Sequence, residues 1–375
     1  MNRYKGYQWH LLATALWADT DCNWREALDP TSCAGKLTAS ASDALYLALK
    51  LLGTKGIVAI PAYTCARVPA AVESAGWSTY LVDIDLATGG FSLESLHTAL
   101  NMGCKAILLT HLFGRGTNEA EVIALAREFD APVIEDSALY IHPGANVKST
   151  LKIYSFGRGK PLSLGGGGAL TWRNPAFADL LEELTQTLTE NQPWGILDLL
   201  RASIRDSNFA LWLARHKQRP RSTYSATLPA YSYRPISPRN QRYLAWTLSR
   251  QHLEEQDAQN LSRKPLDQLT KLLKESQVEI IGEPGFRIPA GAYVPALAMR
   301  STQRDQLVKR LRKVGMDVPL YWQSSLSRLA KSGASPGANT LADEIFFLPT
   351  YRTYHPDEIQ RLMSALNGHR LVAFS

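Results

Sequence analysis

A chain of 375 residues, 45% hydrophobic and 20% charged, carries enough apolar material for about two folded domains and excludes a disordered or fibrous protein. The net charge of +7 is mild and evenly spread. It suits anionic small molecules, and with no helix-turn-helix, zinc-finger or RNA-binding pattern beside it, it argues against nucleic acid as a partner.

In chain order, Leu11–Ala18 follows Arg3 and Lys5 but is too short for an export signal and precedes no small-residue cleavage site. No run of 18 apolar residues follows, so no membrane-spanning helix is expected. The four cysteines, Cys22, Cys33, Cys65 and Cys104, form no C-x-x-C pair and no Cys/His cluster with ligand spacing. The expectation is a protein of the reducing cytoplasm, without a metal site or a disulfide framework.

Between residues 40 and 172 two patterns alternate. Short apolar, β-branched runs predict strands at Ile57–Pro61, Thr79–Ile84, Ala106–Thr110, Val133–Glu135, Leu151–Phe156 and Ala169–Trp172. Helical spacing predicts helices at Asp43–Leu52, Arg67–Ser74, Leu93–Leu100 and Glu119–Phe129. The alternation implies an α/β fold: a mostly parallel sheet covered on both faces, with ligands gathered at the carboxyl ends of its strands. Residues 180–230 interrupt the pattern. Trp194–Leu213 is apolar but broken by Asp198, Arg201, Arg205 and Asp206, and the basic run from Arg215 to Arg221 follows. It reads as an insertion packed on the body or a partner subunit; an interfacial amphipathic helix is the alternative. From residue 236 a smaller α+β domain is expected. Its helices are Pro238–Leu261, Lys264–Glu275, Gln303–Val314 and Asp357–Leu366, and its strands Val278–Ile281, Tyr293–Arg300, Asp317–Tyr321 and Glu344–Leu348. The division is thus 1–235, with its insertion, and 236–375.

Three features sit beside strand ends. Val133–Glu135 delivers Asp136 to the carboxyl edge. Leu151–Phe156 leads to Lys160 and then to the glycines Gly165–Gly168. Ser40-Ala41-Ser42 opens a helix whose first N–H groups suit a phosphate, although for this stretch taken alone simple capping by Ser or Asp is the better explanation. Around Lys160 the P-loop pattern fails, because Tyr154 stands at its first glycine and Pro161 follows the lysine; no G-x-G-x-x-G closes a first β–α turn. Together, an acid, a lysine and a helix N-terminus are the minimum set for pyridoxal phosphate (PLP). The lysine forms a Schiff base with the aldehyde and the acid keeps the ring nitrogen protonated.

With these stretches in this order, the chain resembles the DegT/DnrJ/EryC1/StrS aminotransferases, a branch of the aspartate-aminotransferase-like (fold type I) PLP enzymes, over residues 35–368. The matching pieces are Ser40–Leu45, Pro61–Thr64, Val82–Asp85, His111–Gly114, Val133–Ala138, Ser155–Lys160, Gly167–Leu170, Tyr231–Arg234 and Phe346–Pro349. The resemblance implies a large three-layer PLP-transferase-type domain, a smaller C-terminal domain and a homodimer with shared active sites. It makes Lys160 the Schiff-base and proton-shuttling lysine, Asp136 the ring-nitrogen partner, and Ser155 with Ala41 and Ser42 the phosphate ligands. Cys65 stands where the family stacks an aromatic side chain on the ring, and Ser232 where an Asn reaches the neighbouring subunit's phosphate. Leu139 replaces a Gln or His, and Gly165–Gly168 lacks the family's usual Glu. Tyr321, Trp322 and His355 read as packing rather than substrate contacts. The implied reaction moves an amino group from an amino acid, glutamate or glutamine, to a keto-sugar, nucleotide-linked, in amino-sugar or polysaccharide biosynthesis. Two alternatives stay open: a PLP-fold protein without turnover, in a binding or assembly role, and a PLP enzyme of another reaction type.

Overall fold

The computed structural model describes residues 23–53, 55–112, 118–141, 149–157, 160–162, 164–188, 230–249, 279–281, 296–316, 324–330, 335–349, 356–366 and 370–372, with a few residues between them. Most of Trp194–Leu213, the basic run to Arg221, most of Lys264–Glu275, and Tyr321 and His355 lie outside the described residues.

The larger unit opens with a short helix, α1 (Trp24–Leu28), and strand β1 (Ala34–Thr38). Then come α2 (Ala41–Leu51), β2 (Ile57–Pro61), α3 (Arg67–Ser74), β3 (Ser78–Val82), α4 (Leu93–Asn101), β4 (Cys104–Thr110), α5 (Glu119–Glu128), β5 (Val133–Asp136), β6 (Leu151–Ser155), β7 (Gly168–Trp172) and α6 (Phe177–Thr187). The seven strands form one sheet in the order β1-β7-β6-β5-β4-β2-β3. Only β7 runs antiparallel to its neighbours. The strands are nearly continuous apolar runs because both faces are covered. Successive side chains alternate between faces. Val58, Ile60, Leu108, Ile134 and Ile153 pack with α2 and α3 on one side. Ile107, Leu109 and Val133 pack with α4 and α5 on the other. Further along that second face, Leu37, Tyr154 and Ala169 meet Leu28 and also Tyr243, Leu244 and Leu248 from a helix at 238–249, here α7.

The second sheet has the order β10-β9-β11-β8, built from β8 (Glu279–Ile281), β9 (Ala296–Arg300), β10 (Ile345–Pro349) and β11 (Arg370–Val372). Helices α8 (Arg304–Lys313), α9 (Leu326–Ala330), α10 (Pro336–Glu344) and α11 (Pro356–Leu366) accompany it. Its core gathers Leu297, Met299, Leu307, Leu311, Phe346, Leu348 and Leu362. The two sheets are latched. Asp83, just after β3, accepts from the N–H groups of Gly337 and Ala338 at 3.0 and 2.8 Å, satisfying two orphan donors at the start of α10. Leu326 N–H donates to Ala62 O at 2.8 Å.

Most of the expected elements form within two residues of their expected ends. Strand β1 was not foreseen. It forms because β7 pairs with it over five residues, which supplies by tertiary contact what Ala34-Gly-Lys-Leu-Thr38 lacks in pattern. The strand expected at Asp317–Tyr321 is not one at its described positions: Val318 and Leu320 are irregular and serve the small core instead. No described helix is long and apolar enough to cross a membrane.

Candidate active site

The carboxyl edge of the parallel strands carries the site. Strands β5 and β6 lie side by side, with Asp136 opposite Ile153 in register. Asp136 ends β5 on the α2 side of the sheet, 7% exposed, and its carboxylate accepts from Ala138 N–H at 3.0 Å. Burial pushes this acid above its ordinary value; the Ala138 bond and then the Lys160 and His111 charges oppose that, and Glu135 adds to it.

Lys160 follows β6 on a turn closed by its own N–H donating to Gly157 O at 3.2 Å. Burial holds its amine below the ordinary lysine value, against the attraction of Asp136 and Cys65. A desolvated amine spends more time neutral, the state in which it is a nucleophile. Lysine and acid are thus electrostatically coupled across two adjacent strand ends. Cys65, half-buried just before α3, faces the same lysine.

The α2 N-terminus reaches this edge through β7. Ser155, 8% exposed, pairs with Gly168. A Cβ on Gly168 would lie 2.6 Å from both Ala41 N and Ser40 C, and 2.7 Å from Tyr154 O. Only glycine lets the strand pass that close to the helix start. Ser40 caps the helix by accepting from Asp43 N–H, while the amides of Ala41 and Ser42 make no intrahelical bond. The Ser155 hydroxyl and that first turn therefore converge on one edge with Asp136 and Lys160.

Tyr231-Ser232-Tyr233-Arg234 is held beside the same helix start. Asp43 accepts from Tyr231 Oη at 2.7 Å, Arg234 N–H at 2.9 Å and Ser40 Oγ at 2.6 Å. Burial still leaves the Asp43 carboxyl above its ordinary value, despite these bonds. Tyr233 stacks on Tyr46 of α2 at 5.2 Å. Ser232 between them is exposed. Leu139 is buried, and Trp322, at φ 41°, packs edge-on against Tyr63 at 5.3 Å.

A polar group of the site went unforeseen. Behind Asp136, on the opposite face of the sheet, Glu135 Oε1 takes Lys152 Nζ and His111 Nε2, each at 2.9 Å. Ser137 Oγ donates to the same oxygen at 3.1 Å and Ser149 Oγ to Oε2 at 3.0 Å. Burial alone would raise the Glu135 carboxyl; the Lys152 charge and the His111 bond together outweigh it and hold it well below the usual carboxylate range. The signal was legible in part: two charged residues interrupt apolar strands. Their pairing required the register that sets Glu135 against Lys152.

The architecture is a mixed α/β fold, a mostly parallel seven-stranded sheet accompanied by a smaller four-stranded one. Residues 35–195 match the model of the DegT/DnrJ/EryC1/StrS aminotransferase family. Protein MosB of Rhizobium meliloti is 32% identical over 153 residues, 39% of this chain and 30% of that protein. The UDP-2-acetamido-2-deoxy-3-oxo-D-glucuronate aminotransferase of Pseudomonas aeruginosa is 29% identical over 158 residues, 40% of this chain and 44% of that one. The matches thus span less than half the length of these two curated relatives. Among solved structures, a DegT DnrJ EryC1 StrS aminotransferase from Brucella abortus aligns with a TM-score of 0.69 at 18% identity, covering 96% of this chain and 95% of the other. A putative sugar aminotransferase from Streptococcus pneumoniae, in its PMP form, aligns with a TM-score of 0.70 at 15% identity, covering 97% and 96%. These likenesses establish the fold.

Proposed function

We propose that the chain is a PLP-dependent aminotransferase that moves an amino group from an amino acid, glutamate or glutamine, to a keto-sugar carried on a nucleotide. The observation that carries this reading is the pair formed by Lys160 and Asp136, an amine held down by burial and a desolvated acid, coupled across adjacent strand ends. The donor set fits PLP: an amine for its aldehyde, an acid for its ring nitrogen, and the Ala41 and Ser42 amides with the Ser155 hydroxyl for its phosphate. When bound, PLP supplies an aldehyde that exchanges amines covalently and a ring that withdraws electrons from the substrate carbon.

The chain's own residues do the rest. Asp136 holds the ring-nitrogen proton. Lys160 Nζ would hold the cofactor through its aldehyde and, as a neutral amine, would carry the proton at the substrate carbon. Cys65, half-buried and near Lys160, would pack against a bound ring through its polarizable sulfur. Ser232, exposed beside the α2 start, would reach the phosphate of a neighbouring subunit if the chain forms a homodimer. The division at 235/236 and a cytoplasmic location belong to the same proposal. The named sugar substrate of the Pseudomonas aeruginosa relative supports the acceptor class.

The test is optical and chemical. Purified protein given PLP should gain a visible absorbance band that changes on adding glutamate or glutamine, and labelled donor α-amino nitrogen should appear in the amino-sugar formed from a nucleotide-linked keto-sugar. A band indifferent to every donor would favour a binding role. Turnover without label in the sugar would point to another PLP reaction. No band at all would overturn the proposal.

A further inference from the structure

We propose that Lys152 and His111 are positioning residues that shield Asp136 from the charge of Glu135, so that Asp136 stays a carboxylate facing the cofactor ring. The inference rests on the reading of Asp136 as the ring-nitrogen partner. It explains a feature that reading leaves unused: a lysine in the middle of a central strand, 6% exposed, surrounded by a sheet core.

Glu135 and Asp136 are adjacent, both under 10% exposed, and project from opposite faces of β5. Two neighbouring buried carboxylates oppose each other's ionisation. Glu135 is committed to the ionised form by its four donors: Lys152 Nζ, His111 Nε2, Ser137 Oγ and Ser149 Oγ. The burden of that charge would fall on Asp136. Lys152 cancels it at 2.9 Å, from the strand next door and in register. His111 stands on the other side, after β4, with its backbone N–H on Asp136 O at 3.1 Å and its Nε2 on Glu135. Its Nδ1 lies 3.3 Å from Glu119 of α5.

Among the described residues, the charged and titratable groups around Asp136 are these. Lys160 and Cys65 lie on its own face. Glu135, His111, Lys152 and Glu119 lie behind it. Tyr140 is 4.9 Å from the His111 ring, and the Tyr154 ring is 5.6 Å from Lys152 Nζ.

A structural staple would make the same contacts, so the test reads Asp136 itself. In protein prepared without cofactor and labelled with 13C at aspartate carboxyls, the Asp136 signal is titrated in wild type, Lys152→Met, His111→Gln and the double variant Lys152→Met/Glu135→Gln. Lys152→Met should raise the proton affinity of Asp136 about tenfold. His111→Gln keeps a donor to Glu135 but loses the cation, and should raise it roughly threefold. The double variant has no charge left to shield and should return Asp136 to wild-type behaviour. The PLP dissociation constant should follow the same order. If Lys152→Met does not fold, His111→Gln and the double variant still decide the matter. An Asp136 titration unmoved in either single variant, or a folded double variant that does not recover, overturns the shielding. If wild type binds no PLP, the functional reading fails, and the Asp136 titration still answers separately.

Discussion

Glu135 and Asp136 are consecutive carboxylates on one strand, both buried, and the protein treats them in opposite ways. On the face toward α4 and α5, Glu135 is saturated: two cations and two hydroxyls surround it, and its carboxyl is held below the usual range. On the face toward α2, Asp136 accepts, among the described residues, from one backbone N–H at 3.0 Å and feels the charge of Lys160, with burial pushing its carboxyl up. The difference separates a buried charge that holds a sheet together from one kept ready for a ligand. A satisfied buried ion is finished as a structure, whereas a desolvated and under-satisfied one, beside an equally desolvated amine, marks a place where something else is meant to bind.

The two lysines of this region break that comparison most forcefully if it is wrong. Lys160→Ala should abolish the visible band given by added PLP while leaving the circular dichroism spectrum intact. Lys152→Ala should do the reverse, keeping a weakened band and losing stability. A band retained in Lys160→Ala would move the site elsewhere. Next in size is Glu135→Leu, which strands Lys152 without a partner. Removing one member of a buried pair costs about 3–5 kcal/mol, and the urea midpoint of the cofactor-free protein should fall accordingly. A midpoint unchanged from wild type would make Glu135 no more structural than Asp136.

Much of this was visible before any coordinates, and the reason is geometric. An apolar strand that ends in an acid, and another that ends in a glycine-bounded lysine, announce their chemistry because parallel strands expose their carboxyl ends. Asp136, Lys160, Ser155 and the start of α2 were readable on that basis. Strand β1 was not, because an edge strand such as Ala34-Gly-Lys-Leu-Thr38 is specified by its partner more than by its own alternation. The Glu135–Lys152 pair was hidden for the same reason: each residue alone looks like an irregular polar interruption, and only the β5–β6 register makes them partners. Val318 and Leu320 show the converse, apolar spacing that suggests a strand but is spent on filling a core.

Asp136→Ala should have a smaller effect than either change above. It removes one charge-assisted contact to the cofactor, worth about 1.5–3 kcal/mol, so PLP affinity should fall roughly 10- to 100-fold. The cofactor-free protein should lose nothing comparable in urea. Equal losses in affinity and in urea midpoint would show that Asp136 is structural after all.

The smallest effect, and the sharpest in sign, is the pH dependence of stability without cofactor. Asp136 has its folded value raised, so the folded chain binds this proton more tightly than the unfolded chain does. Its contribution to stability is full below the ordinary carboxylate value and is lost as pH rises through the raised folded value. Glu135 has its folded value lowered, so its contribution is present above the ordinary value and is lost as pH falls through the low folded one. Asp136→Asn should therefore raise the melting temperature of the cofactor-free protein near neutral pH, and the gain should vanish on acidification. Glu135→Gln should lower it near neutral pH, with the loss shrinking in acid. Melting curves of both variants and wild type from pH 3 to 8, without cofactor, read the two slopes directly. Slopes of the same sign would mean that the two faces of β5 do not differ in the way their contacts indicate.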